Sequence, residues 1–288
     1  MDKQDKTASG HTSARVEAVD KESPGGVAPG LDLPVDEHEE EVSENGRIVR
    51  RQGIYLLPNL FTTGALFAGF YAIIAAMRGD FESAAIAIFA AMVLDGLDGR
   101  VARLTNTSSK FGAEYDSLSD MVSFGVAPAL VMFSWALGEL GKFGWSAAFI
   151  YVACAALRLA RFNTQIDTAD KNYFTGLASP AAASVVAGTV WVCNDLGLVG
   201  ADLPFELSVV VGVLTATVGF LMVANFSYYS FKGIDFRGRV PFVVMIAVVL
   251  VFGLIMVDPP LILLAGFLTY AVSGPVTHVL KRRKKGAP

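Results

Sequence analysis

The stretch "LDGLDGRVARLTNTSSKFGAEYDSLSD", residues 94–120, sets Asp95, Asp98, Asp116 and Asp120 with two arginines into a chain otherwise built of long apolar runs. Isolated charges are expensive inside an apolar protein, so a cluster of four carboxylates needs a physical reason. Asp95 and Asp98 are three residues apart and Asp116 and Asp120 four apart, spacings that put each pair on one face of a helix. The short polar connection between them lets the two helices run antiparallel with those faces opposed. Four carboxylates then converge in one place.

The surroundings fix what kind of place that is. Of 288 residues, 53% are hydrophobic and 17% charged, with a mean hydropathy of +0.50, against about 25% charged residues in ordinary soluble domains. The composition is that of a membrane protein. Residues 1–46 hold 12 acidic and 4 basic side chains, so the overall charge of −4 conceals a body that is net positive. With few aliphatic or aromatic residues to offset ordering entropy, residues 1–46 read as a disordered acidic tail, with neither the basic start nor the apolar core of a signal peptide.

Apolar runs at about 55–77, 81–101, 117–138, 143–163, 178–197, 205–226, 239–257 and 260–280 are each long enough to predict a membrane-spanning helix. Basic residues mark the cytoplasmic side. They precede the first run (Arg47, Arg50, Arg51) and follow the second (Arg100, Arg103, Lys110), fourth (Arg158, Arg161, Lys171), sixth (Lys232, Arg237, Arg239) and eighth ("KRRKK", 281–285). The opposite side holds only Arg78 and Lys142. The expectation is an all-α, polytopic protein of the inner or plasma membrane, with about eight transmembrane helices and both termini and the aspartates facing the cytoplasm. Three parts follow: the tail 1–46, a membrane-embedded domain 47–280 with its catalytic core at about 55–185, and a basic C-terminal tail 281–288.

An Asp at the centre of a transmembrane helix costs about 2.5–3.5 kcal/mol even on a lenient insertion scale, and Arg100, Arg103 and Lys110 are too few to offset four. Divalent cations solve the problem. All-oxygen donors with no histidine or thiolate nearby favour Mg²⁺ or Mn²⁺, with Ca²⁺ as a binder, and such ions take phosphate oxygens in their remaining positions. The competing reading is a structural network of Asp–Arg ion pairs. Gly96, Gly99 and Ala102 leave room for a phosphate or nucleotide to approach the backbone, or else let helices pack closely. The ligand pattern of an EF-hand and a Walker loop are both absent. Cys154 and Cys193 lie in apolar runs and read as core thiols, and His11, His38 and His278 are too scattered for a histidine site.

The spacing Asp95-x2-Asp98-Gly99-x2-Ala102-Arg103-x8-Gly112-x3-Asp116-x3-Asp120 resembles, position for position, the signature of the CDP-alcohol phosphotransferase family. The resemblance implies an integral membrane enzyme that displaces CMP from a CDP-linked donor with an alcohol. It also implies two divalent cations, Mg²⁺ or Mn²⁺, held by Asp95, Asp98, Asp116 and Asp120, with Asp120 doubling as catalytic base. Gly99, Arg103 and Ser109 would contact the nucleotide.

Within that family the chain is similar to the bacterial membrane-embedded phosphatidylserine synthases through "LPNLFTTGALFAGFYAI" (57–73), "LRLARFN" (157–163) and "YFTGLASPAAA" (173–183). It departs from that branch at Ala65, where an Asn is expected. The branch implies CDP-diacylglycerol and L-serine as substrates in contact with membrane lipids, and no nucleic-acid partner. Serine carries a carboxylate that wants a cation, for which Arg158 and Arg161, three apart on one face, and Asn163 are candidates. These arginines also suit topology anchoring or lipid-phosphate binding. Asn59 contacts the nucleotide or caps the first helix after Pro58. Gly176, Ser179 and Pro180 shape the entry to the fifth run. Gly212 and Gly219 suit close helix contact, within the chain or in a homodimer. Two rival functions remain: the same chemistry on glycerol 3-phosphate or inositol phosphate, and a non-catalytic divalent-ion transporter.

Overall fold

The computed structural model describes residues 41–44, 47–50, 56–105, 110–164, 173–199, 203–229 and 242–285, and most of these are helical. A short antiparallel hairpin comes first, β1 (Glu41–Glu44) with β2 (Arg47–Arg50), in a register that sets Glu41 opposite Arg50 and Glu44 opposite Arg47. Strand β1 thus falls within the segment expected to be disordered. Opposite charges fall across from each other, which favours the pairing. The remainder of the expected tail, 1–40 and 45–46, lies outside the described residues.

Each of the eight apolar runs is helical over most of its described residues. The helices are α1 (Leu56–Met77), α2 (Phe81–Thr105), α3 (Lys110–Asp120), α4 (Ala127–Met132), α5 (Lys142–Thr164), α6 (Ser179–Asp195), α7 (Phe205–Val223), α8 (Phe242–Val257) and α9 (Pro259–Lys285). Helix α9 continues into the basic stretch expected as a tail, where Lys and Arg suit the negative end of a helix dipole.

Among the described residues five helical stretches, rather than eight, are long and apolar enough to cross a membrane by themselves: Asn59–Met77, Phe111–Leu140, Lys142–Thr164, Phe205–Val223 and Pro259–Leu280. The other three fall short for different reasons. Helix α2 is long but carries the charges of Asp95, Asp98 and Arg100. Helices α6 and α8 have 17 and 16 residues, about 24–26 Å at 1.5 Å per residue, against a hydrocarbon core of about 30 Å.

The third run is a composite rod. Helix α3 passes into a π-helical turn, Met121–Val126, then into α4 and a second π-helical turn, Phe133–Leu137. Pro128, in the first turn of α4, has no N–H to give the carbonyl of Phe124 four residues back. That carbonyl accepts the hydroxyl of Tyr151, at 3.0 Å from α5. The donor is a fully buried side chain, whose own hydroxyl must find a partner in a dry interior.

Helix α6 sits at the centre. From Ser179 to Val190 nearly every residue is buried, so its apolar residues run all round it rather than along one stripe. Helices α1 and α2 meet through alanines, among them Ala72, Ala76, Ala84 and Ala91, small enough to bring the backbones close. Across α1 and the first π-helical turn the approach is closer still: a Cβ at Gly69 would come within 2.7 Å of the Ser123 Cα.

The small residues of α7 serve a similar packing inside the chain. A Cβ at Gly219 would sit 3.0 Å from the Tyr151 Cα, and one at Gly212 3.0 Å from the Phe143 ring. Of the two uses expected for this stripe, the contact within the chain is the one seen: helix α5 packs on it. Cys154 is buried and Cys193 half-buried, both as free thiols.

Two strands unforeseen in the sequence, β3 (Tyr173–Thr175) and β4 (Ser227–Tyr229), pair antiparallel at the entry to α6 and the exit from α7. Gly176 continues this ribbon with a φ of +82°, a left-handed conformation that favours glycine. Its N–H donates to the Phe226 carbonyl at 2.8 Å, and Leu177 N–H donates to Leu221 at 2.9 Å.

Candidate metal centre

Helix propagation through residue 105 carries Asp95 and Asp98 on the last turns of α2, and α3 brings Asp116 and Asp120 toward them. Asp95, Asp116 and Asp120 converge: one carboxylate oxygen from each lies within 4.8 Å of the other two. The carboxylates of Asp95 and Asp120 come within hydrogen-bonding range of one another. Negative groups this close repel strongly in a low dielectric unless a cation stands between them. The donors are all oxygen, the type that suits a hard divalent ion and that its octahedral or looser coordination uses.

Asp98 lies outside this 4.8 Å group but near enough to Asp95 and Asp116 to act on both electrostatically. Its side chain is 7% exposed and accepts a hydrogen bond from the Thr62 hydroxyl of α1. Arg100 is exposed, so among the described residues the buried carboxylate leans on a hydroxyl rather than on an arginine. Gly96 and Gly99 are exposed, and a Cβ at either would meet nothing within 4 Å among the described residues. Among the described residues, tight helix packing does not account for glycine at these two positions. The open surface lies beside the carboxylates.

A ladder of hydroxyls fixes the aspartate helix against α1. Ser119 donates to the Thr62 carbonyl at 3.1 Å and Ser123 to the Ala65 carbonyl at 3.0 Å. Thr63 and Tyr115 join their hydroxyls at 2.9 Å. Position 65, where relatives were expected to carry Asn, is thus 2% exposed and serves through its backbone. Thr62, Tyr115, Ser119 and Ser123 were not singled out in the sequence. The available signal was serines four apart in an apolar run, each of which must satisfy its hydroxyl locally or across a helix.

The residues expected to bind serine occupy three different environments around this centre. Arg158 of α5 lies near enough to Asp120 to act on it electrostatically, and its Nη1 donates to Ser179 Oγ at 2.7 Å. Arg161 Nη1 donates to the Val223 carbonyl at 3.1 Å and to Asn225 Oδ1 at 3.2 Å, tying α5 to the end of α7. Asn163 Nδ2 donates to Ser117 Oγ at 3.0 Å, beside Asp116.

Among the expected nucleotide contacts, Asn59 lies inside the first turn of α1, which begins at Leu56, and so does not cap it. Its carbonyl accepts from Thr63 Oγ1 at 2.6 Å. Arg103 belongs to α2, but its side chain lies outside the described residues, as does Ser109.

Comparison with known families and proteins places this centre in context. Residues 55–224 match the CDP-alcohol phosphatidyltransferase family, a span that contains all four aspartates. The chain is 41% identical over 200 residues to a CDP-diacylglycerol–serine O-phosphatidyltransferase of Helicobacter pylori, covering 69% of this chain and 82% of that protein. It is 32% identical over 176 residues to a protein of the same name from Bacillus subtilis, covering 61% of this chain and 91% of the relative. A third protein of that name, from Saccharomyces cerevisiae, is 39% identical over 155 residues, 49% of this chain and 55% of its own length.

Proposed function

The chain belongs to the CDP-alcohol phosphatidyltransferase family, and from that premise we propose that it transfers the phosphatidyl group of CDP-diacylglycerol to L-serine, giving phosphatidylserine and CMP. The observation that carries this reading is the convergence of Asp95, Asp116 and Asp120 at one end of two adjacent helices. The printed names of the similar proteins support serine as acceptor.

Asp95, Asp98, Asp116 and Asp120 hold two divalent cations, Mg²⁺ or Mn²⁺. When bound, such ions neutralise the diphosphate of the liponucleotide and stabilise the departing phosphate oxygen. Gly99 leaves room for the nucleotide, and Arg103, Ser109 and Asn59 contact it. Asp120 takes the proton of the serine hydroxyl as its oxygen attacks the phosphorus that bears diacylglycerol. The new oxygen–phosphorus bond forms as the anhydride bond to CMP breaks, and the CMP phosphate leaves with the electron pair. Direct displacement uses no protein nucleophile.

Arg158 and Asn163 flank the acceptor, with Arg158 opposite the serine carboxylate, and Arg161 braces the same pocket through α7. All eight long helical rods span the inner or plasma membrane, the shorter ones in a locally thinned bilayer. The basic loops and the aspartates then face the cytoplasm. The acyl chains enter sideways from the cytoplasmic leaflet and serine from the cytosol.

The test is CMP release and lipid product from purified protein given radiolabelled CDP-diacylglycerol, Mn²⁺ or Mg²⁺, and a panel of alcohols. The expected product is phosphatidylserine, formed only with a divalent cation. Product from glycerol 3-phosphate or inositol phosphate but not from L-serine would overturn the acceptor assignment.

A further inference from the structure

Arg158 carries an atom that the packing leaves unsatisfied. Its Nε is buried and has no hydrogen-bond partner, the one buried side-chain nitrogen or oxygen in that state among the described residues. A buried guanidinium N–H without an acceptor is costly, and such a group in a folded protein calls for an explanation, a functional role being one. The neighbouring arginine has no such deficit, because Arg161 is engaged with the Val223 carbonyl and Asn225.

What holds Arg158 in place is Ser179. This residue is fully buried at the start of α6, and its backbone is fixed by the Gly176 turn and the two hydrogen bonds that tie residues 176 and 177 to the end of α7. Ala178 occupies the N-cap position, and no side chain caps the helix there. The Ser179 hydroxyl instead receives Arg158 Nη1 at 2.7 Å. With Nη1 taken, the opposite edge of the planar fork, Nε and Nη2, is the one a carboxylate accepts side-on.

We propose that Ser179 is a positioning residue that turns the Nε edge of Arg158 toward the carboxylate of the acceptor, so that the pair selects amino-acid alcohols over alcohols without a carboxylate. This rests on the serine reading above. Ser179 itself touches no reacting atom. Its role is to fix the rotamer of a long, otherwise mobile side chain before the acceptor arrives, which lowers the ordering cost of binding.

The experiment compares wild type, Ser179→Ala and Ser179→Thr on two acceptors, L-serine and serinol, the latter replacing the carboxylate with a hydroxymethyl group. Loss of a charge-assisted hydrogen bond is expected to raise the KM for L-serine about tenfold in Ser179→Ala. The kcat, the KM for CDP-diacylglycerol and the KM for serinol stay within about twofold in that variant. Preference for serine over serinol then falls about tenfold, and Ser179→Thr, which keeps the hydroxyl, recovers it. Arg158→Lys keeps the charge, loses the fork and shows the same fall in preference, a check that does not depend on packing at position 179.

An unchanged KM for L-serine in Ser179→Ala, or equal losses on both acceptors, would overturn the inference while wild-type serine activity leaves the function standing. A wild type that turns over glycerol 3-phosphate but not L-serine would overturn both.

Discussion

The aspartate end of α1, α2 and α3 and the apolar helix α8 are built on opposite principles. At the first, polar groups cross between helices at defined distances: Thr62 to Asp98, Ser119 and Ser123 to carbonyls of α1, Tyr115 to Thr63. At the second, Met245, Val249, Leu250, Phe252 and Met256 all face outward, and nothing polar directs them. In a lipid environment a polar group must find a specific partner, whereas an apolar side chain on the outside meets acyl chains in any rotamer. The first region therefore specifies geometry, and the second only length and greasiness.

That contrast breaks in a definite order if the account is right. Asp120→Asn should have the largest effect, a fall in kcat of about 10²–10⁴, as for other general bases, with binding of the CDP-lipid retained in an equilibrium assay. Gly69→Leu should come next. The approach to Ser123 leaves no space for a side chain, so α1 and the aspartate rod must separate, and thermal unfolding in detergent should drop together with activity.

Thr62→Val removes the donor to Asp98 while nearly preserving volume. Activity should fall about tenfold with a smaller loss of stability, read from turnover and Tm. Tyr151→Phe removes the hydroxyl that donates to the Phe124 carbonyl and should cost about 1–3 kcal/mol of stability with little change in KM. Phe252→Leu on α8 should do nothing measurable to either quantity. A large effect there would mean that α8 meets a specific protein partner rather than lipid.

Much of the aspartate site was legible because helical spacing is a local property. The three- and four-residue intervals place Asp95 and Asp98 on one face of α2, and Asp116 and Asp120 on one face of α3. Three of the four do converge, while the fourth turns to Thr62, a partner 36 residues away that no local pattern marks. The reason for glycine at positions 96 and 99 was equally ambiguous in sequence, and among the described residues it is the lack of a close neighbour that favours access over packing.

In the fold, apolar runs located every long helix, but length alone did not reveal that α6 and α8 are short. Nor did it reveal that the Tyr151 hydroxyl donates to the Phe124 carbonyl, or that residues 173–175 and 227–229 pair across a gap of some fifty residues. Each of these depends on contacts distant in sequence, where periodicity is silent.

The central claim is that the aspartates of two neighbouring helices hold divalent cations that receive a liponucleotide diphosphate. Its most direct test is a titration of Mn²⁺ into the purified full-length protein, followed by electron paramagnetic resonance, for wild type and for Asp95→Asn and Asp116→Asn. The account predicts protein-bound Mn²⁺ in wild type, a spectrum altered by CDP-diacylglycerol, and loss of that bound signal in both variants. Equal Mn²⁺ binding in all three proteins, unaffected by the liponucleotide, would contradict it.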